Sequence, residues 1–169
     1  LSRGLGDVYK RQRLSAHAGF TRPTEAFAMR KEGVLQTEIE LVVPFFDVDM
    51  MEVVWHGHYV KYFEEARCAL LDKLGHNYRQ MRDAGYAWPI IDLQVRYIRG
   101  AQFGQRIRVR ADLVEWENRL KINYLITDVA TGERMTRGSS VQVAVEIATR
   151  EMLLASPKVF VEAVERAIA

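Results

Sequence analysis

Near the start of the patterned part of the chain, apolar and polar residues alternate over residues 34–46. A period of two is typical of a strand with one buried face. One side of the extended chain carries Leu35, Thr37, Ile39, Leu41 and Val43. The other side carries Gln36, Glu38 and Glu40. The pattern therefore predicts a strand with one face toward a core.

A period of three to four residues follows. Its apolar positions are Tyr59, Tyr62, Phe63, Ala66, Ala69, Leu70 and Leu74. This spacing predicts a long helix with a wide apolar face, and Gly75 suits its C-terminal cap. A short polar helix over about residues 77–83 is expected next, closed by Gly85.

The second half of the chain returns to a period of two. Alternating runs at residues 91–97, 106–113, 121–127 and 141–147 are separated by turns that contain Gly or Asn. They predict four strands with mostly antiparallel pairing. Ser156 followed by Pro157 predicts the start of a final helix, as a cap and a first-turn proline.

The long helix is the only predicted element large enough to cover the apolar face of such a sheet. We therefore predict an α+β domain over residues 34–169, in which a curved antiparallel sheet of about five strands wraps around one long central helix. The 169 residues suffice for one domain with a proper core, and no internal repeat is visible.

Residues 1–33 show neither the period of two residues nor the period of three to four residues. Residues 1–28 carry five basic and two acidic side chains, so the overall charge of +2 comes from this segment. It resembles adapter-like translated tails of environmental reading frames, and Met29 is a plausible true start. Residues 1–33 are predicted to be a disordered or non-native segment outside the domain.

Composition narrows the class of protein. The rest of the chain has no broad basic face, so no nucleic-acid partner is expected. No apolar run approaches the roughly 20 residues that a membrane helix needs, so no membrane span is expected. A single cysteine, Cys68, excludes an internal disulfide. A cytoplasmic location is the expectation that follows.

Candidate chemistry is concentrated in residues 45–59, which hold two aspartates and two histidines. Aspartate favours turns and helix caps, so Asp47 is interpreted as a turn residue. Asp49 is followed by Met50 and Met51, and is expected to lie against a buried, apolar turn. A poorly solvated carboxylate can serve as a nucleophile or as a base for water.

The expected helix start supplies a second group. The first N–H groups of a helix have no partner within it and carry partial positive charge. If the helix begins near His56 or Gly57, these N–H groups face the same space as Asp49. A carboxylate beside free N–H donors is an arrangement that acyl transfer requires. Gly57 would also let a substrate carbonyl approach the backbone.

A metal site is the rival interpretation of the same residues. His56 and His58 would point the same way only on a strand, and at a helix start they diverge. No metal is therefore expected. For His58, a polar cap residue near the surface is the simpler interpretation.

Residues 46–49, 53–59 and 63–67 together resemble the signature of the 4-hydroxybenzoyl-CoA thioesterase family, which includes acyl-CoA thioesterases encoded with the Tol-Pal system. The resemblance covers about residues 35–147. It implies a hotdog fold and hydrolysis of an acyl-coenzyme A thioester. It also implies a homodimer or homotetramer in which the sheets continue across the subunit interface and the site is shared.

The resemblance implies a role for each matching position. Asp49 matches the catalytic carboxylate, and the His56 backbone N–H matches the oxyanion donor, with Gly57 and His58 beside it. Glu64 lies where the family often has an acidic residue that supports the site, for instance by orienting water.

Arg119 and Lys121 match the region that binds the coenzyme A phosphates. No cofactor is implied, since coenzyme A is part of the substrate. The chain departs from many members at Met51 and Glu52, where a small residue or glycine is common. It departs again at positions 57 and 58, where alanine and asparagine are common.

Two alternatives remain at this point. One is a hotdog hydratase or dehydratase acting on acyl-CoA or acyl-carrier protein, in which a histidine pairs with an acid. The other is a non-catalytic acyl-CoA-binding subunit.

Overall fold

The computed structural model of the protein describes residues 33–169. The predicted disordered or non-native segment therefore lies outside the described residues, apart from Gly33. The strands are β1 (Leu35–Val42), β2 (Tyr86–Ala87), β3 (Ile90–Tyr97), β4 (Arg106–Glu115), β5 (Leu120–Asp128), β6 (Arg134–Gln142) and β7 (Val145–Glu146). The helices are α1 (Tyr59–Leu74), α2 (Tyr78–Asp83) and α3 (Lys158–Ile168), and 3-10 turns span Phe45–Asp47 and His56–His58.

Five strands form one sheet in the order β1-β4-β5-β6-β3, and every neighbouring pair is antiparallel. Leu35 pairs with Leu113 at one end of β1, and Val42 pairs with Arg106 at the other end. Strands β2 and β7 form a separate two-stranded ladder.

Helix α1 covers the apolar face of this sheet. Its inward side chains Tyr59, Phe63 and Leu70 are buried, as are the inward residues of the central strands, among them Ile107 and Ile122. The Phe63 ring stacks on the Tyr124 ring of β5, with centroids 4.5 Å apart. The predicted hotdog arrangement of five antiparallel strands and one long helix is confirmed.

The predicted Gly75 cap of α1 and the predicted short helix after it are confirmed. Gly75 has a left-handed backbone with φ of 71° and donates its N–H to the Asp72 carbonyl, as a C-terminal glycine cap does. Asn77 caps α2 through a capping box with Gln80. The chain thus turns sharply between the two helices.

The predicted last strand of the sheet, residues 141–147, is wrong. The structure places β6 at Arg134–Gln142, and residues 145–146 belong to the small ladder. The inward positions of β6 carry small or polar side chains because α1 lies close to this strand. A Cβ on Gly138 would lie 2.6 Å from Cε2 of Phe63. The strand therefore lacks the apolar alternation that would reveal it.

The predicted Ser156 cap of the final helix is also wrong. Helix α3 has Pro157 at its N-cap position and no side-chain cap bond. Ser156 instead donates its backbone N–H to the Glu117 carbonyl at 2.8 Å. Because Ser156 lies one residue before the N-cap position, its hydroxyl lies outside the first turn of the helix. Helix α3 packs its Phe160 ring against Trp88, with centroids 4.7 Å apart.

The two edges of the sheet differ in character. At one edge, β1 exposes polar side chains such as Glu38 and Glu40. At the other edge, β3 and the residue that follows it expose apolar side chains: Ile90, Ile91, Leu93, Tyr97 and Ile98. An apolar edge strand with unpaired backbone groups is a template for pairing with another strand.

Candidate functional site

A tight hairpin loop holds Asp49. The Asp49 N–H donates to the Val53 carbonyl at 2.9 Å, and the Glu52 N–H donates back to the Asp49 carbonyl at 3.0 Å. Val48 and Val54 pair across the two arms. The Asp49 carboxylate accepts the Met51 N–H at 2.8 Å, which is the turn bond that aspartate favours. Asp49 is therefore fixed by its own loop.

The apolar neighbours of Asp49 do not bury it. Met50 and Met51 are exposed, and Asp49 is half-buried. The expectation of a buried, apolar turn is therefore wrong for the single subunit. Both methionines lie in the three-residue loop of the hairpin, and their side chains are exposed to solvent.

Glu52, the last residue of this loop, has a left-handed backbone with φ of 61°. A three-residue hairpin loop commonly places its last residue in this region, where glycine fits without strain. Glu52 is one of the four positions, with 51, 57 and 58, at which the chain departs from many members of the family that it resembles. A glycine here, which the resemblance gives as a common residue, would adopt this backbone conformation without strain.

We expect Glu52→Gly to raise the free energy of unfolding by about 0.5–1 kcal/mol. A left-handed backbone costs a non-glycine residue about 1–2 kcal/mol, and the greater unfolded-state freedom of glycine offsets part of the gain. Urea unfolding measures the change. Arg150 also has φ of 61°, so Arg150→Gly is the matched variant. If Arg150→Gly stabilises the protein and Glu52→Gly does not, the left-handed backbone of Glu52 is not a source of strain.

Asp47 is the buried carboxylate of the pair, with 1% of its surface exposed. Lys61 Nζ donates to its Oδ1, and Tyr62 Oη donates to its Oδ2 at 2.8 Å. Burial raises the pKa of the Asp47 carboxyl, but these two bonds outweigh burial and hold that pKa below its ordinary value. The interpretation of Asp47 as a turn residue is therefore wrong for its side chain, which ties the loop to helix α1.

His58 belongs to this buried carboxylate rather than to Asp49. Its Nδ1 lies 3.2 Å from Asp47 Oδ1 and 3.1 Å from the Asp47 carbonyl oxygen. The His58 ring also meets the Trp55 ring edge-on, with centroids 5.2 Å apart. The structure therefore does not bring the imidazole into contact with Asp49. Its contacts are those of a residue that fixes the helix start.

The helix start offers free amide donors. The 3-10 turn His56–His58 leads directly into α1, and its first internal bond runs from the His58 N–H to the Trp55 carbonyl at 2.8 Å. Among the described residues, the N–H groups of His56 and Gly57 find no carbonyl acceptor. Two adjacent donors at a helix start can stabilise a negative oxygen.

Gly57 is required by a neighbouring side chain. A Cβ at this position would lie 2.0 Å from Cζ3 of Trp55. The indole thus occupies the side of Gly57 that a larger residue would fill. The structure thus gives a packing reason for glycine at position 57. The reason predicted from the sequence is a different one, the approach of a substrate carbonyl.

Backbone bonds fix the carboxylate relative to the helix start. The Trp55 N–H donates to the Asp47 carbonyl at 2.9 Å, and the Val54 N–H donates to the Ala101 carbonyl at 2.8 Å. The segment that leads from Asp49 to His56 is thereby held between the hairpin arm and the chain after β3. Of the predicted site residues, the structure brings Asp49, His56, Gly57 and His58 into this one region.

Two tyrosines support the helix start through hydrogen bonds that the sequence did not predict. Tyr97, the last residue of β3, donates its hydroxyl to the His56 carbonyl at 2.8 Å. Its ring meets the Tyr59 ring edge-on at 5.3 Å, and the Tyr59 hydroxyl accepts the Ala101 N–H at 2.9 Å. The signal available in the sequence was weak, namely an aromatic residue at a strand end.

Glu64 lies further along α1, and its recorded partners do not include Asp49. It forms an ion pair with Arg67, which is 3% exposed. Arg67 Nε also donates to the Tyr78 hydroxyl at 2.6 Å. Arg67 could have been found as the one charged residue on the apolar stripe of the helix, four positions after Phe63.

Glu64 also lines a groove between α1 and β1, with a volume of about 420 Å³. The lining residues are Ile39, Leu41, Glu64, Glu65, Cys68, Ala69 and Asp72. Neither Asp49 nor the helix start belongs to this groove. We place the candidate site at the loop and helix start rather than in the groove, because Asp49 and the two free amide donors lie on the same backbone-bonded segment.

Arg119 and Lys121 lie at the other end of the sheet. The Asp49 loop follows the end of β1 that pairs with Arg106, whereas Arg119 sits in the turn after Glu115 and forms an ion pair with it at 2.8 Å. Strand β4 has 10 residues, which separates the two ends by about 30 Å. One subunit therefore does not bring these basic residues to Asp49, and their role in binding coenzyme A stays a prediction.

The described residues contain no group of three or more His, Cys, Asp or Glu side chains that could hold a metal ion. None of the described helices is long and apolar enough to cross a membrane.

Comparisons with known proteins show the family and the fold of the chain. The family model described as the thioesterase-like superfamily matches residues 43–165. A protein of Synechocystis named "Putative esterase sll0410" is 29% identical over 126 residues, which cover 74% of this chain and 76% of that protein.

Two solved structures share the fold. One is a DHNA-CoA thioesterase from Staphylococcus aureus, 27% identical with a TM-score of 0.66, covering 70% of this chain and 80% of that chain. The other is a 1,4-dihydroxy-2-naphthoyl-CoA thioesterase from Synechocystis, 18% identical with a TM-score of 0.69, covering 79% and 95%. At its lower identity, the second shows the fold alone.

Proposed function

Because the chain belongs to the thioesterase-like superfamily, we propose that it hydrolyses an acyl-coenzyme A thioester to a free acid and coenzyme A. The observation that carries the proposal is that Asp49 is fixed in the hairpin loop that leads into a helix start with two free amide donors. A carboxylate and an oxyanion donor are the two groups that acyl transfer to water requires.

In the proposed reaction, the thioester carbonyl oxygen accepts hydrogen bonds from the His56 and Gly57 N–H groups. Asp49 either attacks the carbonyl carbon or takes a proton from the water that attacks it. The C–S bond then breaks, and coenzyme A leaves as a thiolate that takes up a proton. If Asp49 attacks, water cleaves the resulting anhydride. Both routes give the same acid and thiol.

The Asp49 carboxylate has one oxygen bound to the Met51 N–H. Among the described residues, no donor is recorded for its other oxygen. That free oxygen supports a role in which the carboxylate attacks or accepts a proton while its loop bond keeps it oriented.

We propose an aromatic acyl group as the first substrate class to examine, and the 4-hydroxybenzoyl-CoA thioesterase family, with its Tol-Pal-associated members, as the subgroup. The signature at residues 46–67 supports the subgroup. The 27% identical DHNA-CoA thioesterase supports an aromatic acyl group. We also propose a cytoplasmic location, where acyl-coenzyme A substrates would be supplied.

An acyl-CoA panel tests the proposed function. Purified protein is mixed with 4-hydroxybenzoyl-CoA, 1,4-dihydroxy-2-naphthoyl-CoA, short-chain and long-chain acyl-CoA, and enoyl-CoA, and release of the free thiol is followed. We expect thiol release with at least one substrate. Hydration of enoyl-CoA without thiol release would indicate a hydratase, and tight binding without either reaction would indicate a binding subunit. Both results contradict the proposal.

We further propose that the protein works as a homodimer, or as a homotetramer built from such dimers, joined through β3. The support is the exposed apolar side of this edge strand, including Ile91 and Tyr97, and its unpaired backbone groups. A two-fold axis beside β3 would pair the two copies antiparallel. The far end of one sheet would then lie on the same side as the Asp49 loop of the other.

This pairing predicts that each site combines Asp49 of one subunit with Arg119 of the partner subunit. We expect Asp49→Asn and Arg119→Glu to be impaired separately and to complement each other when co-expressed. Random pairing restores about one quarter of the intact sites, so activity at low substrate should return to about a quarter of wild type. The mixture stays as inactive as its parents if one subunit supplies both residues, and that result would contradict the shared site.

A further inference from the structure

Tyr97 connects the edge strand to the helix start across 41 residues of sequence. Its hydroxyl donates to the His56 carbonyl at 2.8 Å. Neighbouring contacts hold the Tyr97 end of this bond. The Tyr97 ring rests edge-on against Tyr59 at 5.3 Å, and the Tyr59 hydroxyl is bound to the Ala101 N–H. Tyr97 therefore has a fixed ring position from which its hydroxyl reaches the backbone.

The accepting carbonyl shares a peptide group with the Gly57 N–H. Because the peptide is planar and trans, the C=O of His56 and the N–H of Gly57 point in opposite directions. A hydroxyl that holds the carbonyl oxygen therefore also sets the direction of the N–H. The same bond polarises the amide and strengthens its N–H as a donor.

We infer that Tyr97 is a positioning residue for the Gly57 N–H, one of the two proposed oxyanion donors, and that it acts by fixing the His56–Gly57 peptide group. The inference rests on the proposed function, and it names a residue that touches the backbone rather than the substrate. No other side-chain bond to this peptide group is recorded among the described residues. Since Tyr97 ends β3, subunit pairing along β3 and donor alignment involve the same strand.

Tyr97→Phe tests the inference, because phenylalanine keeps the ring against Tyr59 and removes only the hydroxyl. We expect kcat for the best acyl-CoA to fall about tenfold, which is less than the 10²–10³-fold typical of losing an oxyanion donor outright. We expect KM to change less than about twofold, because the donors act mainly on the developing oxyanion. The midpoint of thermal unfolding should stay close to that of wild type.

A second readout follows the peptide group directly. The backbone amide of Gly57 should shift upfield in the ¹H–¹⁵N spectrum of Tyr97→Phe, because the His56 carbonyl of the same peptide group loses a polarising bond. Tyr86→Phe is the matched control, since no hydrogen bond is recorded for the Tyr86 hydroxyl in the described part of the chain. We expect this control to keep wild-type kcat and an unshifted Gly57 amide.

The outcomes separate the inference from the proposed function. Wild-type kcat with an unshifted Gly57 amide in Tyr97→Phe overturns the positioning role, as does a rise in KM alone. If the wild-type protein turns over no acyl-CoA, the proposed function fails. The Gly57 amide shift then still decides whether Tyr97 fixes the peptide group.

Discussion

Asp49→Asn is expected to lower kcat for the best acyl-CoA substrate by about 10²–10⁴-fold, with the fold unchanged. An amide neither attacks a thioester carbonyl nor takes a proton from water. Asparagine still accepts the Met51 N–H, a bond of 2.8 Å in the wild-type protein, so the turn persists. Thiol release measures the rate, and thermal unfolding shows that the loop has kept its structure.

Glu52→Gln provides the matched control, because it removes a carboxylate from the same loop three residues away. We expect this variant to retain kcat within about twofold, since the side chain of Glu52 has no role in the proposed reaction. An equal loss in Glu52→Gln and Asp49→Asn would indicate that overall loop charge, rather than the Asp49 carboxylate, sustains turnover.

Asp47→Ala is expected to lower the free energy of unfolding by about 2–4 kcal/mol. The substitution leaves the buried Tyr62 hydroxyl without its acceptor and Lys61 without its counter-ion. Breaking a buried pair costs about 3–5 kcal/mol. The lower value expected here reflects Lys61, whose side chain is 48% exposed and can be solvated. Urea unfolding at neutral pH measures the loss.

Tyr62→Phe is the control for Asp47→Ala, since it removes one of the bonds and keeps the carboxylate. It should cost about 1–2 kcal/mol. If Asp47→Ala costs no more than Tyr62→Phe, the ion pair with Lys61 contributes nothing measurable.

The lowered pKa of Asp47 also predicts a dependence on pH. A carboxyl with a folded pKa below its unfolded value stabilises the fold fully above the unfolded value, near pH 3.9. That stability is lost as the pH falls further, through the folded pKa. The difference in stability between wild type and Asp47→Ala should therefore shrink as the pH falls below about 4.

Periodic segments account for the parts of the fold that the sequence predicts well. β1 and α1 follow from alternation and from three- to four-residue spacing, and Gly75 follows from its place after the last apolar residue. β6 could not be found in this way. Its inward Gly138 and Ser140 are small or polar because Phe63 and Arg67 of the helix lie against them.

The candidate site, like the fold, could be predicted only in part from the sequence. The two aspartates lie two residues apart, and nothing local distinguishes a turn bond from a buried ion pair. Lys61 and Tyr62, 14 and 15 residues later, decide that Asp47 is the buried one. Arg119 lies at the far end of the sheet from the Asp49 loop. The proposed subunit pairing that would bring the two residues together leaves no periodicity in the sequence.

Single-turnover release of coenzyme A thiol, with enzyme in excess over the best acyl-CoA, tests the role of Asp49 most directly, because it excludes product release and substrate saturation. Wild-type protein and Asp49→Asn are compared after acyl-CoA binding to each has been verified by calorimetry. The account predicts rapid thiol release by wild type and a rate at least about a hundredfold lower in the variant. Equal rates of thiol release by the two proteins would contradict it.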